Sequence, residues 1–423
     1  MFLLTLQKLK NKTFYYIRLW FFLFFIVGNS MIVFAQNETA HEHAQQEGKR
    51  VDLEILKDIK NKNKELTIHE VEKRNKDFVP VKSSYLNLGF EENAKWIRVK
   101  IPPHVENKIF YLELEYPLLD SVSLFYKDTI SDSWQVKHSG DLLPFYQRDI
   151  NYHNLIFKIP VSKDSVSYYF RIKTNGSLQV SVKLWNESSL FEEILGEQLV
   201  FGGLFGVFMV LAAYSFLIGS LLKTRSYLYY AMLVLSAALF LSVLNGYAFQ
   251  YLWATAPDWG NQALPFSIGV LTVSALNFTQ LFLLTKKHAP TLQKLMQLCS
   301  LIAGIVASIV FIGYYNLLTQ IVVVNALIAA ILIFYTAVIT RARGYAFSRF
   351  VVSGSYLFSI GILLAVLKSF GIVDTTFITK HGMELGTVFY LLLCAVSLND
   401  RYTEQKVIKK DEQEEEIEEI KDK

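Results

Sequence analysis

The chain of 423 residues is 52% hydrophobic, 14% aromatic and only 19% charged, with a mean hydropathy of +0.28. Ordinary soluble domains carry roughly 25% charge and rarely average above zero hydropathy, so the composition argues against a wholly soluble protein. A net charge of +4 is too small to argue for nucleic acid.

Of the 80 Asp, Glu, Lys and Arg residues, 13 fall between Val200 and Leu398. The chain therefore divides into a polar half and a membrane half. Cys299 and Cys394 both sit in apolar runs and read as small buried residues, not as a disulfide framework or metal knuckle.

Residues 1–35 read as a signal peptide. Lys8, Lys10, Lys12 and Arg18 precede the apolar stretch Leu19 to Val27, and Val33-Phe34-Ala35-Gln36 suits cleavage after Ala35. The alternative is an uncleaved anchor, since Leu19 to Ala35 is almost long enough to span. Residues 36–80 form a polar segment. Its His41 and His43 are two histidines in a tail, which is not enough for a metal site, and neither metal nor cofactor is expected.

Residues 81–195 carry the period of two expected of half-buried strands. Ile97, Val99 and Ile101 alternate with Arg98 and Lys100, and Leu112 and Leu114 with Glu113 and Glu115. Further runs cover Val122 to Tyr126, Leu155 to Ile159, Tyr168 to Ile172 and Val180 to Leu184, separated by turn signals such as Ser139-Gly140-Asp141 and Asn175-Gly176-Ser177. Short strands with no helical run between them imply two packed antiparallel sheets, a β-sandwich. Trp96, Tyr146, Arg148 and Trp185 are its candidate ligand residues, because aromatics stack on sugar rings and Arg forks onto hydroxyls or carboxylates. The alternative is that both tryptophans pack the core and Arg148 pins a loop. No Ser-His-Asp set, catalytic carboxylate pair or phosphate-cradling glycine loop is evident, so no enzyme is expected.

Residues 199–398 supply seven apolar runs near the length of a membrane helix: Val200 to Leu222, Tyr227 to Tyr247, Ala263 to Leu284, Leu295 to Ile312, Leu317 to Thr340, Phe350 to Leu367 and Phe377 to Leu398. The odd-numbered links hold Lys223, Arg225, Lys286, Lys287, Lys294, Arg341, Arg343 and Arg349. The even ones hold only Lys368 and Lys380. The positive-inside rule therefore places the sandwich outside and the C-terminus in the cytoplasm. The aromatic-rich link Gly246 to Trp259 suits the interfacial belt or a docking surface for the sandwich.

Ionisable groups in lipid are function candidates by default, which singles out His381 and Glu384. The alternative is that both are wetted near the outer interface or bonded to a neighbouring helix. Asn245, Asn277, Gln280 and Asn325 read as interhelical hydrogen-bond glue, and Gly202, Gly203 and Gly206 as permitting close helix approach. The tail, 399–423, is charged and helix-prone. Val407, Ile408, Ile417 and Ile420 give a fragment of an apolar stripe, which suits either a solvated extension or a short signalling helix.

Several local stretches, in order, resemble the bacterial seven-transmembrane receptors with diverse intracellular signalling modules (7TMR-DISM). They are Lys95-Trp96-Ile97-Arg98, Tyr111-Leu112-Glu113-Leu114 with Pro117-Leu118-Leu119-Asp120, Gly140 to Phe145 leading to Arg148, and Leu184-Trp185 before Phe191. In the membrane half they are Gly203 to Tyr214, Arg225 to Tyr230, Asn245-Gly246-Tyr247 to Trp253, and Glu384 to Arg401. The resemblance implies a ligand-sensing ectodomain like a carbohydrate-binding jelly roll, signalling through the bundle, with Trp96, Asp141, Arg148 and Trp185 at matching positions. Family members usually continue into a kinase, cyclase or other output module. Here about 25 residues follow the last span, too few for a catalytic domain, so either a cytoplasmic partner in trans reads the bundle or the receptor has lost its output.

Three functions stay open. The first is a sensor of a small extracytoplasmic ligand in the bacterial inner membrane, with a homodimer as one arrangement. The second is a non-signalling anchor gripping glycan or protein. The third is a transporter or intramembrane enzyme, although no internal repeat and no metalloprotease or Gly-x-Ser-x-Gly motif is apparent.

Overall fold

A computed structural model describes residues 49–56, 65–81, 85–91, 93–101, 109–128, 132–160, 165–312, 315–369, 372–373 and 376–421. The signal-peptide reading of 1–35, with His41 and His43, lies outside these residues.

Eleven strands among the described residues form two antiparallel sheets. The first runs β1 (Lys49–Arg50), β11 (Ser177–Asn186), β6 (Phe110–Leu114), β9 (Leu155–Ile159), with β4 (Tyr85–Phe90) also pairing β11. The second runs β3 (Phe78–Pro80), β2 (Leu53–Leu56), β5 (Lys95–Ile101), β10 (Val166–Lys173), β7 (Ser121–Lys127), β8 (Trp134–Ser139). Alternate residues face inward, and Ile97, Val99, Leu112, Leu114, Phe170 and Val182 make a fully buried core between the sheets. Burying each such side chain is worth about 1.5–3 kcal/mol.

The sandwich begins earlier than the period-two reading placed it. β1 to β3 and the short helix α1 (Ile68–Lys73) lie in the stretch read as a polar segment. Their charges hid them, and several of those charges are paired. Glu54 on β2 holds Arg98 Nε at 2.5 Å and Lys100 Nζ at 3.1 Å. Thr67 and Glu70 form a capping box that starts α1. Ile68 and Val71 then cover the outer face of the second sheet, against Trp96, Phe78 and Tyr169. This cover buries the polar partner in the β5 alternation as well, since Arg98 is only 6% exposed.

The sandwich also ends earlier. β11 stops at Asn186 and helix α2 (Glu187–Leu221) starts on the next residue, with the Asn186 side chain accepting from Ser189 N at 2.9 Å. This is an ordinary N-cap. Hydropathy alone misses the first turns of α2 because they stand on the sandwich, where Leu190 and Ile194 pack on Tyr111, Tyr152 and Trp185.

The remaining helices are α3 (Arg225–Leu244), α4 (Tyr247–Tyr251), α5 (Pro257–Phe282), α6 (Thr285–His288), α7 (Pro290–Ile309), α8 (Tyr315–Ala342), α9 (Ser348–Ser369), α10 (Phe377–Lys380) and α11 (Gly382–Lys421). Six of the described helices are long and apolar enough to cross a membrane: α2, α3, α5, α7, α8 and α11. The sixth run, Phe350 to Leu367, gives a shorter apolar helix over Ser348–Leu364. Leu217, Leu221, Val324 and Ile331 are each more than half exposed, which is the outward apolar surface lipid requires.

The last run is interrupted at His381, between α10 and α11. Beyond it, α11 continues without a break into the tail. Val407, Ile408, Ile417 and Ile420 have side chains outside the described residues.

Glycine packing differs from expectation. A Cβ on Gly202, Gly203 or Gly206 would meet nothing within 4 Å, because that face of α2 points outward. The close approach is made elsewhere, by Gly354, Gly361 and Gly386 where α9 meets α11. The glue assigned to Asn245 and Asn325 is present: Asn245 Nδ2 donates to Glu384 Oε1 at 3.1 Å and Asn325 Nδ2 to the Cys299 carbonyl at 3.0 Å.

Candidate functional site

The sandwich is seated on one end of the bundle, and the contact is polar and buried. The loop 140–154 reaches down from the sandwich. Phe145 N donates to the Ala254 carbonyl at 2.9 Å, and Gln250 Nε2 to the Asn151 carbonyl at 3.3 Å. Gly140 opens this loop with φ +140°, where a Cβ would lie 2.3 Å from the Asp120 carbonyl oxygen. Gly246, between α3 and α4, has φ +76°, and its Cβ position is 2.7 Å from Pro117 Cβ of the sandwich. Gly246→Ala is thus expected to destabilise the full chain by about 1–3 kcal/mol through backbone strain and overpacking, read as a lowered melting temperature.

At the centre of this junction is Glu197 of α2. It accepts from the Tyr152 hydroxyl and the Lys380 ammonium, and lies 3.4 Å from His153 Nε2. One carboxylate therefore ties the sandwich loop, α2 and α10 together. Lys380 also reaches Glu193 at 3.1 Å, and Glu193 lies 3.9 Å from Lys183 on β11. The His153 ring is flanked by Tyr152 at 4.1 Å and Tyr247 at 4.3 Å between centroids. Burial pushes the His153 imidazole down to about 4; Lys380 and Arg148 act the same way and Glu197 opposes them. His153 is therefore neutral at physiological pH.

A second buried carboxylate, Glu113 on β6, accepts from Trp185 Nε1 at 2.6 Å and Asn154 Nδ2 at 2.7 Å. Burial raises its pKa well above the ordinary carboxylate range, against the pull of Lys183. An acid whose folded-state pKa is raised stabilises fully below its unfolded value, and that contribution is lost as pH climbs through the folded value. Glu113→Gln mimics the protonated form. Its unfolding free energy is expected to fall less than wild type's as pH rises from the carboxylate range towards neutrality, checked by chemical denaturation along a pH series.

The expected ligand residues are not brought to one open face. Trp96 and Trp185 are each 5% exposed. Trp96 lies under α1 and beside Phe125, and Trp185 lies under the foot of α2 with its N–H spent on Glu113. Neither offers a ring face to a soluble sugar. Tyr146 is 74% exposed. Asp141 and Arg148 are buried together against the bundle, and Arg148 Nη1 donates to the Tyr152 and His153 carbonyls at 3.0 and 2.6 Å, the loop-pinning role. His381 and Glu384 are buried beside the junction. His381 sits edge-on to Phe201, and Glu384 is bonded to Asn245. Sequence reasoning missed Glu197, His153 and Glu113. The one available signal for Glu197 was a carboxylate just before an apolar run.

The fold is a sandwich bonded through buried charge to a bundle whose described helices include six long and apolar enough to cross a membrane. Residues 197–401 match the family model described as 7TM diverse intracellular signalling, and residues 51–186 match 7TMR-DISM extracellular 2. The chain belongs to the 7TMR-DISM family. No curated protein matches it. The lower bound of the second match agrees with the sandwich starting well before residue 81.

Proposed function

We propose that this protein is a non-catalytic sensor in a bacterial inner membrane. Its sandwich meets a small extracytoplasmic ligand, and its bundle passes the change to a separate cytoplasmic protein, with a homodimer as the working unit. The observation that carries this reading is the Glu197 junction: a buried set of bonds linking the sandwich loop to α2 and to Lys380, two residues before α11, the helix that runs on into the tail. Such a junction has alternative pairings, and a ligand biases them only by its differential affinity for the two states.

The orientation rests on the basic links. Lys380, which counted against it, is spent on Glu193 and Glu197. The carbohydrate class rests on the family alone, since both tryptophans are covered.

The test uses the full chain in nanodiscs with spin labels on β8 and on the tail near Lys421. A panel of neutral, acidic and amino sugars should contain at least one member that raises the melting temperature and changes the tail label's spectrum. Binding that leaves the tail label unchanged would instead make the protein a membrane-anchored grip. A C-terminal reporter active only outside the cytoplasm would reverse the orientation.

A further inference from the structure

Between the sandwich and the bundle lies a small chamber with room for about one water-sized sphere. Its walls include Leu118, Asp141 and Arg148 of the sandwich and Gly246, Phe249 and Trp253 of the bundle. Three buried polar atoms on these walls have no hydrogen-bond partner: Asp141 Oδ1, Arg148 Nε and Trp253 Nε1. Gly260 also borders the chamber, and its Cβ position is 3.9 Å from Trp253 Nε1.

Two of the three atoms are N–H donors that cannot accept, and one belongs to a cation. The Arg148 charge is only partly met. Its Nη1 donates to backbone carbonyls, and its guanidinium lies 4.3 Å from the Phe145 ring centroid. Asp141 is a neighbouring acid, yet no ion pair within 4.0 Å joins them among the described residues. A buried cation without a counter-charge is costly.

We propose that this chamber binds one monatomic anion of halide class, which accepts hydrogen bonds from Arg148 Nε and Trp253 Nε1 and so fastens the sandwich to the bundle. The size excludes sulfate or a carboxylate. Asp141 contributes a third donor while protonated. Burial and the nearby Asp120 push it up to about 8, against Arg148. The groups that face Asp141 are Asp120 and Tyr116 of the sandwich, Arg148 of the same loop, and Tyr315 at the start of α8. Above that pH the carboxylate repels an anion. The inference is independent of whether any ligand binds the sandwich.

The test is the melting temperature of the full chain in nanodiscs of neutral lipid, at fixed ionic strength and pH 6, as sodium gluconate is replaced by chloride or bromide. A saturable rise with either halide is expected, and none with sulfate. Arg148 variants are set aside because that side chain also pins the loop. Trp253→Phe keeps the ring and deletes one donor, so the half-saturating halide concentration should rise about ten-fold or more, the worth of one hydrogen bond to a charged group. In wild type the halide effect should fade as pH passes about 8, while Asp141→Asn, which keeps a donor that does not ionise, should retain it. Equal melting in chloride and gluconate, or an unchanged half-saturation in Trp253→Phe, would overturn the proposal and leave the chamber to a water molecule.

Discussion

Glu197→Gln should cost the full-length protein about 3 kcal/mol of unfolding free energy, the low end of what breaking a buried pair exacts. The side chain is 9% exposed and its Lys380 partner 23%. Removing the charge leaves that ammonium with Glu193 alone, and weakens the anchorage of Tyr152 and His153. The residual Glu193 contact and the partial exposure of Lys380 keep the figure from the upper end of the range. Lys380→Met should be similarly damaging, because it strands Glu197. The double variant should recover part of the loss, since removing both charges also removes the desolvation cost. Reversible denaturant unfolding in mixed micelles measures all three. Single effects below about 1 kcal/mol that simply add would mean the two groups do not act as a pair.

The second large effect is expected at Gly361. A Cβ there would lie 2.3 Å from the Gly382 carbonyl oxygen and 3.0 Å from its carbonyl carbon. The obstacle is backbone, so no rotamer relieves it and α9 must part from α11. Gly361→Ala should therefore cost about 3 kcal/mol, the upper end for overpacking. Gly206→Ala is the control. Its Cβ would meet nothing, and replacing a helix-interior glycine should be neutral or stabilising by up to about 1 kcal/mol. Melting curves of the two variants in the same detergent decide this. If both behave alike, the α9–α11 contact is looser than the backbone spacing indicates.

Much of the architecture was legible because two signals are strong in one dimension. Period-two alternation marked β5, β6, β7, β9, β10 and β11, and long apolar runs marked the spans. Elements built from charged residues left no such trace. β2 is specified by Glu54 finding Arg98 and Lys100, residues far along the chain. Trp96 and Trp185 looked like ligand platforms because a sequence does not show what lies over a sheet. In this fold α1 covers one and the foot of α2 the other. The junction was the least legible part. Tyr152 and His153 of one loop, Glu197 of α2 and Lys380 of α10 come from three distant segments, and each is unremarked alone. Arg148 and Asp141 were expected to meet a ligand, but they face the bundle instead of an open groove.

The absence of slack between β11 and α2 has a consequence for how this architecture can vary. Each residue of an α-helix advances the phase by about 100°. One residue added after Asn186 would present a different side of α2 to every neighbour, swinging Glu197 away from Lys380. Three or four added residues would come close to restoring the phase, while lifting the sandwich by about one 5.4 Å pitch. The spacing between head and bundle can therefore change only in steps of roughly a full helical turn.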